Sequence, residues 1–254
     1  MKIKNPRSMD KLTIAFGVKY LLASIFAMYQ YDILIGVSML HKTLGFGEPG
    51  YPKLLSEITD APVRIHVRGD LKSGKPLIAI VGTRKATDEG QKVTRAFAKG
   101  LCEKGFGIIS GLALGIDASA HRGALGAGGY TIAVLGNAID AIYPPGNKGL
   151  AESIIGSGGA VISEYGPGEN IEKNNFIQRN RIVSALSIAV LVIEAPVHSG
   201  ALVTARLGGE QGKDVFVVPG SIGDPNFEGS HKLIRDGAIL VSSVEDILED
   251  LNLT

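Results

Sequence analysis

Two arginines, an asparagine and an aromatic crowd into one short stretch, Phe176-Ile-Gln-Arg-Asn-Arg-Ile182, directly ahead of an apolar run. Arg179 and Arg181 can neutralise phosphate, Asn180 can donate to it, and Phe176 can stack on a base. With a helix starting at Arg179, the free backbone N–H groups and the helix dipole add to the attraction for an anion. A buried core has little use for this combination, so a nucleotide or polyanion ligand is the first expectation. The alternative is a solvated helix start with ordinary ion pairs.

The elements that must position these residues follow from the apolar pattern. Apolar strands are expected at 64–67, 77–81, 107–109, 131–135, 160–162, 188–193 and 214–218. Helical stretches are expected at 53–58, 88–104, 116–126, 148–156, 179–187 and 199–211. Continuous apolar strands alternating with helices from residue 77 onward predict an α/β fold: a doubly wound, extended Rossmann-like, mostly parallel sheet covered on both faces. Ligands of such sheets bind where the strands end at their carboxyl edge.

Each strand-end loop carries small or polar residues: Gly82-Thr-Arg84, Ser110-Gly111, Tyr143-Pro-Pro-Gly-Asn-Lys148, Ser163-Glu164, and Glu194 followed by Ser199, Gly200 and Thr204. Glycines let backbone amides approach a ligand, and Ser or Thr caps a helix or bonds a phosphate oxygen. No loop matches the dinucleotide fingerprint or the Gly-Lys-Ser/Thr phosphate loop, which disfavours NAD binding and P-loop hydrolysis. Arg84 at a strand end is read as a phosphate contact, with an ion pair to Glu89 as the alternative. Asp117 and His121 lie one helical turn apart and are read as a cap or packing pair rather than an acid–base pair. Glu194 is the best general-base candidate, or else it orders its loop. The histidines at 66, 121, 198 and 231 lack metal-ligand spacing, so no metal is expected.

Composition narrows the class. The chain has 254 residues, 45% hydrophobic, with a net charge of +1. Residues 1–75 hold 11 Lys and Arg against 6 Asp and Glu, so the remainder is slightly acidic and any anion site there is a local concentration of charge. A single cysteine, Cys102, rules out an internal disulfide and fits a reducing cytoplasmic setting. Residues 1–45 read as a short helical N-terminal segment, 45–50 as a linker, and 51–254 as the main domain. Residues 20–40 are mostly apolar, but Asp32 within them costs about 3 kcal/mol on insertion scales, so a membrane anchor is disfavoured.

Taken together, the loop blocks carry a resemblance. Ile80-Val-Gly-Thr-Arg84, Ser110-Gly-Leu-Ala-Leu-Gly-Ile-Asp117, Ile142-Tyr-Pro-Pro-Gly-Asn147, Phe176-Ile-Gln-Arg-Asn-Arg-Ile182, Ser199-Gly-Ala-Leu-Val-Thr204 and Gly229-Ser-His-Lys-Leu-Ile234 occur in order. Over residues 51–248 the chain resembles the DNA-processing protein A family (DprA/Smf). The resemblance implies a non-catalytic protein that binds single-stranded DNA, protects incoming DNA in natural transformation and helps load a RecA-type recombinase. It also implies a homodimer and no cofactor. Carried over position by position, the DNA-binding set is Gly82, Arg84, Ser110, Gly111, Lys148, Lys173, Phe176, Arg179, Asn180, Arg181, Ser199, Gly200 and Thr204. Beside that resemblance, the N-terminal helical domain of many relatives is expected to be shortened here and the C-terminal winged helix of some to be absent.

A different class remains open. Nucleotide phosphoribohydrolases use a Pro-Gly-Gly-x-Gly-Thr-x-x-Glu loop on a related scaffold. The segment from Pro196 to Thr204 with Glu210 is a distant echo that lacks the tandem glycines.

Overall fold

The structure, a computed structural model, describes residues 41–72, 74–170 and 172–252. Its framework is a nine-stranded sheet in the order β1-β2-β6-β5-β4-β3-β7-β8-β9. The strands are β1 (Lys42–Gly45), β2 (Arg64–Gly69), β3 (Leu77–Gly82), β4 (Gly107–Ser110), β5 (Thr131–Leu135), β6 (Ala160–Ser163), β7 (Ala189–Ile193), β8 (Asp214–Val217) and β9 (Ile239–Leu240). All pairings from β6 across to β9 are parallel, whereas β1 and β2 pair antiparallel to each other and to β6. This is the Rossmann-like, mostly parallel sheet expected from the alternating pattern.

The helices are α1 (Lys53–Ser56), α2 (Asp88–Glu103), α3 (Ile116–Gly126), α4 (Lys148–Gly156), α5 (Lys173–Gln178), α6 (Asn180–Ala185), α7 (Gly200–Glu210), α8 (Glu228–Arg235) and α9 (Val244–Asp250). Successive side chains of the central strands serve opposite faces. Ile78 and Ile80 of β3 pack with Phe97, Leu101, Ile116 and Ala120 of α2 and α3. Ala79 and Val81 face the other way, against Ile182, Val183, Ala201 and Ala205 of α6 and α7. Ile78, Ile80, Ile108 and Leu191 are fully excluded from solvent, each worth about 1.5–3 kcal/mol of burial.

Two expectations change. The last residues of the expected helical segment 1–45, Lys42–Gly45, are a strand, because alternate hydrogen bonding to β2 registers Thr43 opposite His66 and Leu44 opposite Ile65. The rest of that segment, including the apolar stretch 20–40, lies outside the described residues. Among the described residues no helix is long and apolar enough to cross a membrane. Further along, the helix expected to begin at Arg179 begins at Lys173 and divides at Arg179. The Arg-Asn-Arg block therefore lies within helical backbone, where Arg179 N bonds Asn175 O, rather than before a helix with free amides.

The strand order positions the site. From β3 the chain adds β4, β5 and β6 on one side, then crosses to place β7 and β8 on the other. The switch point lies between β3 and β7, and the loops that leave their carboxyl ends part there to form a crevice.

Candidate nucleic-acid interface

A cleft of about 610 Å³ opens at that switch point. The loop after β3 supplies Gly82, Thr83 and Arg84; the loop after β4 supplies Gly111 and Ala113. Phe176, Arg179 and Asn180 close one wall, and Ser199, Gly200 and Thr204 at the start of α7 close the opposite one. Arg84 is exposed and makes no ion pair among the described residues. Glu89, its expected alternative partner, lies 3.7 Å from Lys92 instead. Phe176 is half-buried, and its backbone and ring press so closely on Gly136 that a Cβ there would stand 2.8 Å from the ring. His198 and Glu228 also line the cleft.

Behind the exposed surface runs a buried network. Arg179 is 5% exposed, and its guanidinium donates to the carbonyls of Gly111 and Val134 and to Asn180 Oδ1. Asp117 Oδ2 accepts from the backbone N–H groups of Gly111 and Ala113 at 3.1 and 3.3 Å. Burial raises the Asp117 pKa, and the Arg179 charge with these N–H groups opposes that rise. Burial likewise lowers the Arg179 pKa, opposed by Asp117 and reinforced by Arg84. Asp117 thus ties down the loop ahead of α3 rather than capping the helix, whose N-cap Gly115 has no side-chain cap bond, and His121 packs beneath, Nδ1 against Thr131 Oγ1 at 2.8 Å. Asn180 Nδ2 and Thr204 Oγ1 both reach Gly200 O at 3.4 Å, and Ser199 Oγ caps Ala201 N at 3.2 Å, which fixes the α7 wall.

Several expected contacts are placed otherwise. Ser110 is fully buried and its hydroxyl donates to Ile80 O at 2.6 Å, so it ties β4 to β3 and offers nothing to a ligand. Arg181 turns away from the cleft into ion pairs with Asp60 at 3.0 Å and Glu164 at 2.8 Å. Arg179 lines the cleft, and its Nε and Nη1 hydrogens are engaged by Asn180 Oδ1 and the carbonyls of Gly111 and Val134; a core does have a use for this cation, as the clamp between the loop after β4, strand β5 and α6. Lys148 and Lys173 are exposed at helix starts and do not line the cleft.

The candidate general base is also explained. Glu194 is 1% exposed at φ +50°, outside the cleft lining, and its carboxylate accepts from Thr87 N at 2.9 Å and from the Thr87 hydroxyl. It orders the start of α2. Glu210 sits at the far end of α7, away from the cleft. Among the described residues no group of three His, Cys, Asp or Glu side chains could hold a metal ion.

Two neighbours escaped the sequence reading. Leu114 and Tyr143 join Arg84 and Phe176 around a recess of about 70 Å³ beside the cleft. Their signal in the sequence was a large apolar or aromatic side chain set among turn residues at a strand end.

Known proteins resemble this chain in sequence and fold. The family model described as DNA recombination-mediator protein A matches residues 42–252. DNA processing protein DprA of Streptococcus pneumoniae is 47% identical over 201 residues, covering 79% of this chain and 71% of that protein. An X-ray structure of DprA from that species superposes with a TM-score of 0.77 at 43% identity, covering 86% of this chain and 77% of that one. Protein Smf of Escherichia coli K12 is 46% identical over 202 residues, 79% of this chain but 54% of Smf, so the chain spans about half the length of that relative. A structure of DNA processing protein A from Helicobacter pylori, described as giving insight into its single-stranded DNA binding mode, superposes with a TM-score of 0.74 at 29% identity, covering 85% of this chain and 97% of that one.

Proposed function

This chain belongs to the DNA recombination-mediator protein A family, and from that premise we propose that it binds single-stranded DNA in the cleft at the sheet's switch point. The observation that carries the reading is the pairing of an exposed, unpaired guanidinium, Arg84, with a half-buried aromatic, Phe176, in one strand-end cleft. Arg84 takes a phosphate and Phe176 stacks a base without selecting its identity. Gly82, Gly111 and Gly200 admit the strand's backbone, Ser199 and Thr204 line its path, and Lys148 and Lys173 supply outlying positive charge. Arg179 and Asn180 act from behind by holding the walls in place.

We read the chain as a binding protein without catalysis of its own, and in support neither Glu194 nor Glu210, the glutamates weighed for a ribohydrolase, lines the cleft. In the cell it protects incoming single strands in natural transformation, helps load a RecA-type recombinase and works as a homodimer. The reading is tested by titrating a fluorescent oligo-dT and its duplex counterpart at low salt. Tight single-strand binding with weaker duplex binding is expected; no binding of oligo-dT overturns it.

A further inference from the structure

One buried side chain outside the cleft fastens a loop on which the cleft depends. Asn147, 2% exposed at the head of α4, donates through Nδ2 to Leu112 O at 2.9 Å and Ala113 O at 3.2 Å. Its own N–H bonds Pro144 O at 2.9 Å, which roots the amide in the preceding turn. Asp117 accepts from the N–H groups of Gly111 and Ala113, and Arg179 donates to Gly111 O. Leu112 stands at φ +57°, a left-handed backbone that a leucine keeps only where its surroundings over-determine it. Asn147 is the side chain bonded to its carbonyl. The far end of the same loop carries Arg84. Ile116 N donates to Thr83 O at 3.2 Å. Gly115, at φ +75°, lies so close to Arg84 that a Cβ there would stand 2.8 Å from the Arg84 carbonyl carbon and oxygen. The backbone that presents Arg84 to the cleft therefore rests on the loop that Asn147 fastens, while Asn147 itself does not line the cleft.

We propose that Asn147 is a positioning residue for single-strand binding: it touches no DNA, and by fastening the loop after β4 it holds Arg84 where a phosphate meets it. This rests on the cleft's being the path of single-stranded DNA. Ordering a long side chain and its loop on binding costs affinity. A backbone fixed beforehand by buried hydrogen bonds removes part of that cost before the strand arrives. The effect is specific to the Arg84 side, because the opposite wall at the start of α7 is held by its own bonds from Asn180, Ser199 and Thr204. Two residues that act through one contact are coupled, so their losses do not add.

The test is a double-mutant cycle in oligo-dT affinity, at a temperature where urea curves show every variant folded. Asn147→Ala is expected to weaken binding by roughly three- to thirtyfold when Arg84 is present. Added to Arg84→Ala, it is expected to cost less than about twofold more. Its slope of log affinity against log salt moves toward that of Arg84→Ala, a shift that lost stability alone does not produce. Asn147→Ser, a smaller cut that keeps a hydroxyl, is measured beside it and carries the cycle where the alanine variant does not fold. Unchanged affinity in the Asn147 variants, or the same loss with and without Arg84, makes Asn147 a support of the fold alone and overturns the inference while single-strand binding stands. Wild-type affinity in Arg84→Ala removes the contact that Asn147 serves and overturns it as well. Failure of wild type to bind oligo-dT removes the proposed function and this inference with it.

Discussion

Arg179 donates through Nη1 to the carbonyl of Gly111 at 2.5 Å, and a Cβ built on Gly111 would stand 2.4 Å from the same guanidinium. The cation and the glycine are therefore one device: the arginine clamps the loop after β4, and only a residue without a side chain leaves it room. The clamp reaches β5 as well, through Val134 O, and faces the buried Asp117.

Removing the clamp should cost stability before it costs affinity. Arg179→Ala strands the carbonyls of Gly111 and Val134 and removes the charge that opposes burial of Asp117, a loss of about 1–3 kcal/mol. Arg179→Lys, which lacks the fork, recovers only part of it. Gly111→Ala should cost about 1–3 kcal/mol by displacing the guanidinium. Urea denaturation at pH 7 reads all three. A fully stable Arg179→Ala that has lost only DNA affinity would make the arginine a direct phosphate contact.

Glu194 gives a separable prediction. Glu194→Ala strands the Thr87 N–H and hydroxyl at the start of α2, at about 1–3 kcal/mol. Single-strand affinity at a temperature where the variant is folded should stay within about twofold of wild type, since a buried carboxylate outside the cleft lining touches no ligand there. Incubation of wild type with nucleoside monophosphates should release no free base. Base release that disappears in Glu194→Ala would restore the ribohydrolase reading.

His121 makes the fold sensitive to acid. It is fully buried, and burial, with Arg179 and Arg122 nearby, pushes its pKa down to about 3 from an ordinary 6.5. A histidine with a depressed folded pKa binds its proton more readily in the unfolded chain. Its contribution is therefore complete above pH 6.5 and drains away as pH falls from there toward 3. Between pH 7 and pH 5 this one group should remove about 2 kcal/mol. Urea midpoints at the two pH values check this, with His121→Gln as the control that flattens the difference. An identical fall in the control would place the acid sensitivity elsewhere.

Most of the framework was legible because its signal is local. Runs such as Leu77 to Gly82 and Ala189 to Ile193 are continuous and apolar, as strands covered on both faces must be. Helices α3 and α4 begin and end where the pattern places them. The antiparallel β1 and the two-residue β9 were not legible, since pairing with β2 and β8 across the sheet makes them strands. At the site, Arg84 stood out by residue type at a strand end and Phe176 by its aromatic ring beside the Arg-Asn-Arg block, and both line the cleft. The split between Arg179, Arg181 and Ser110 was not. Three polar residues in the right loops look alike in sequence, and only the fold decides that Arg181 meets Asp60 and Glu164 while Ser110 turns into the sheet.

In the proposed binding mode Arg84 meets phosphate directly and Arg181 does not. The most direct measurement is oligo-dT affinity across a salt series for wild type, Arg84→Ala and Arg181→Ala. Log affinity should fall linearly with log salt, by about 0.7 for each phosphate neutralised. Arg84→Ala is predicted to bind more weakly and with a slope shallower by about 0.7, while Arg181→Ala loses stability and keeps the wild-type slope. An unchanged slope in Arg84→Ala, or a shallower one in Arg181→Ala, would place the strand outside the cleft at the switch point.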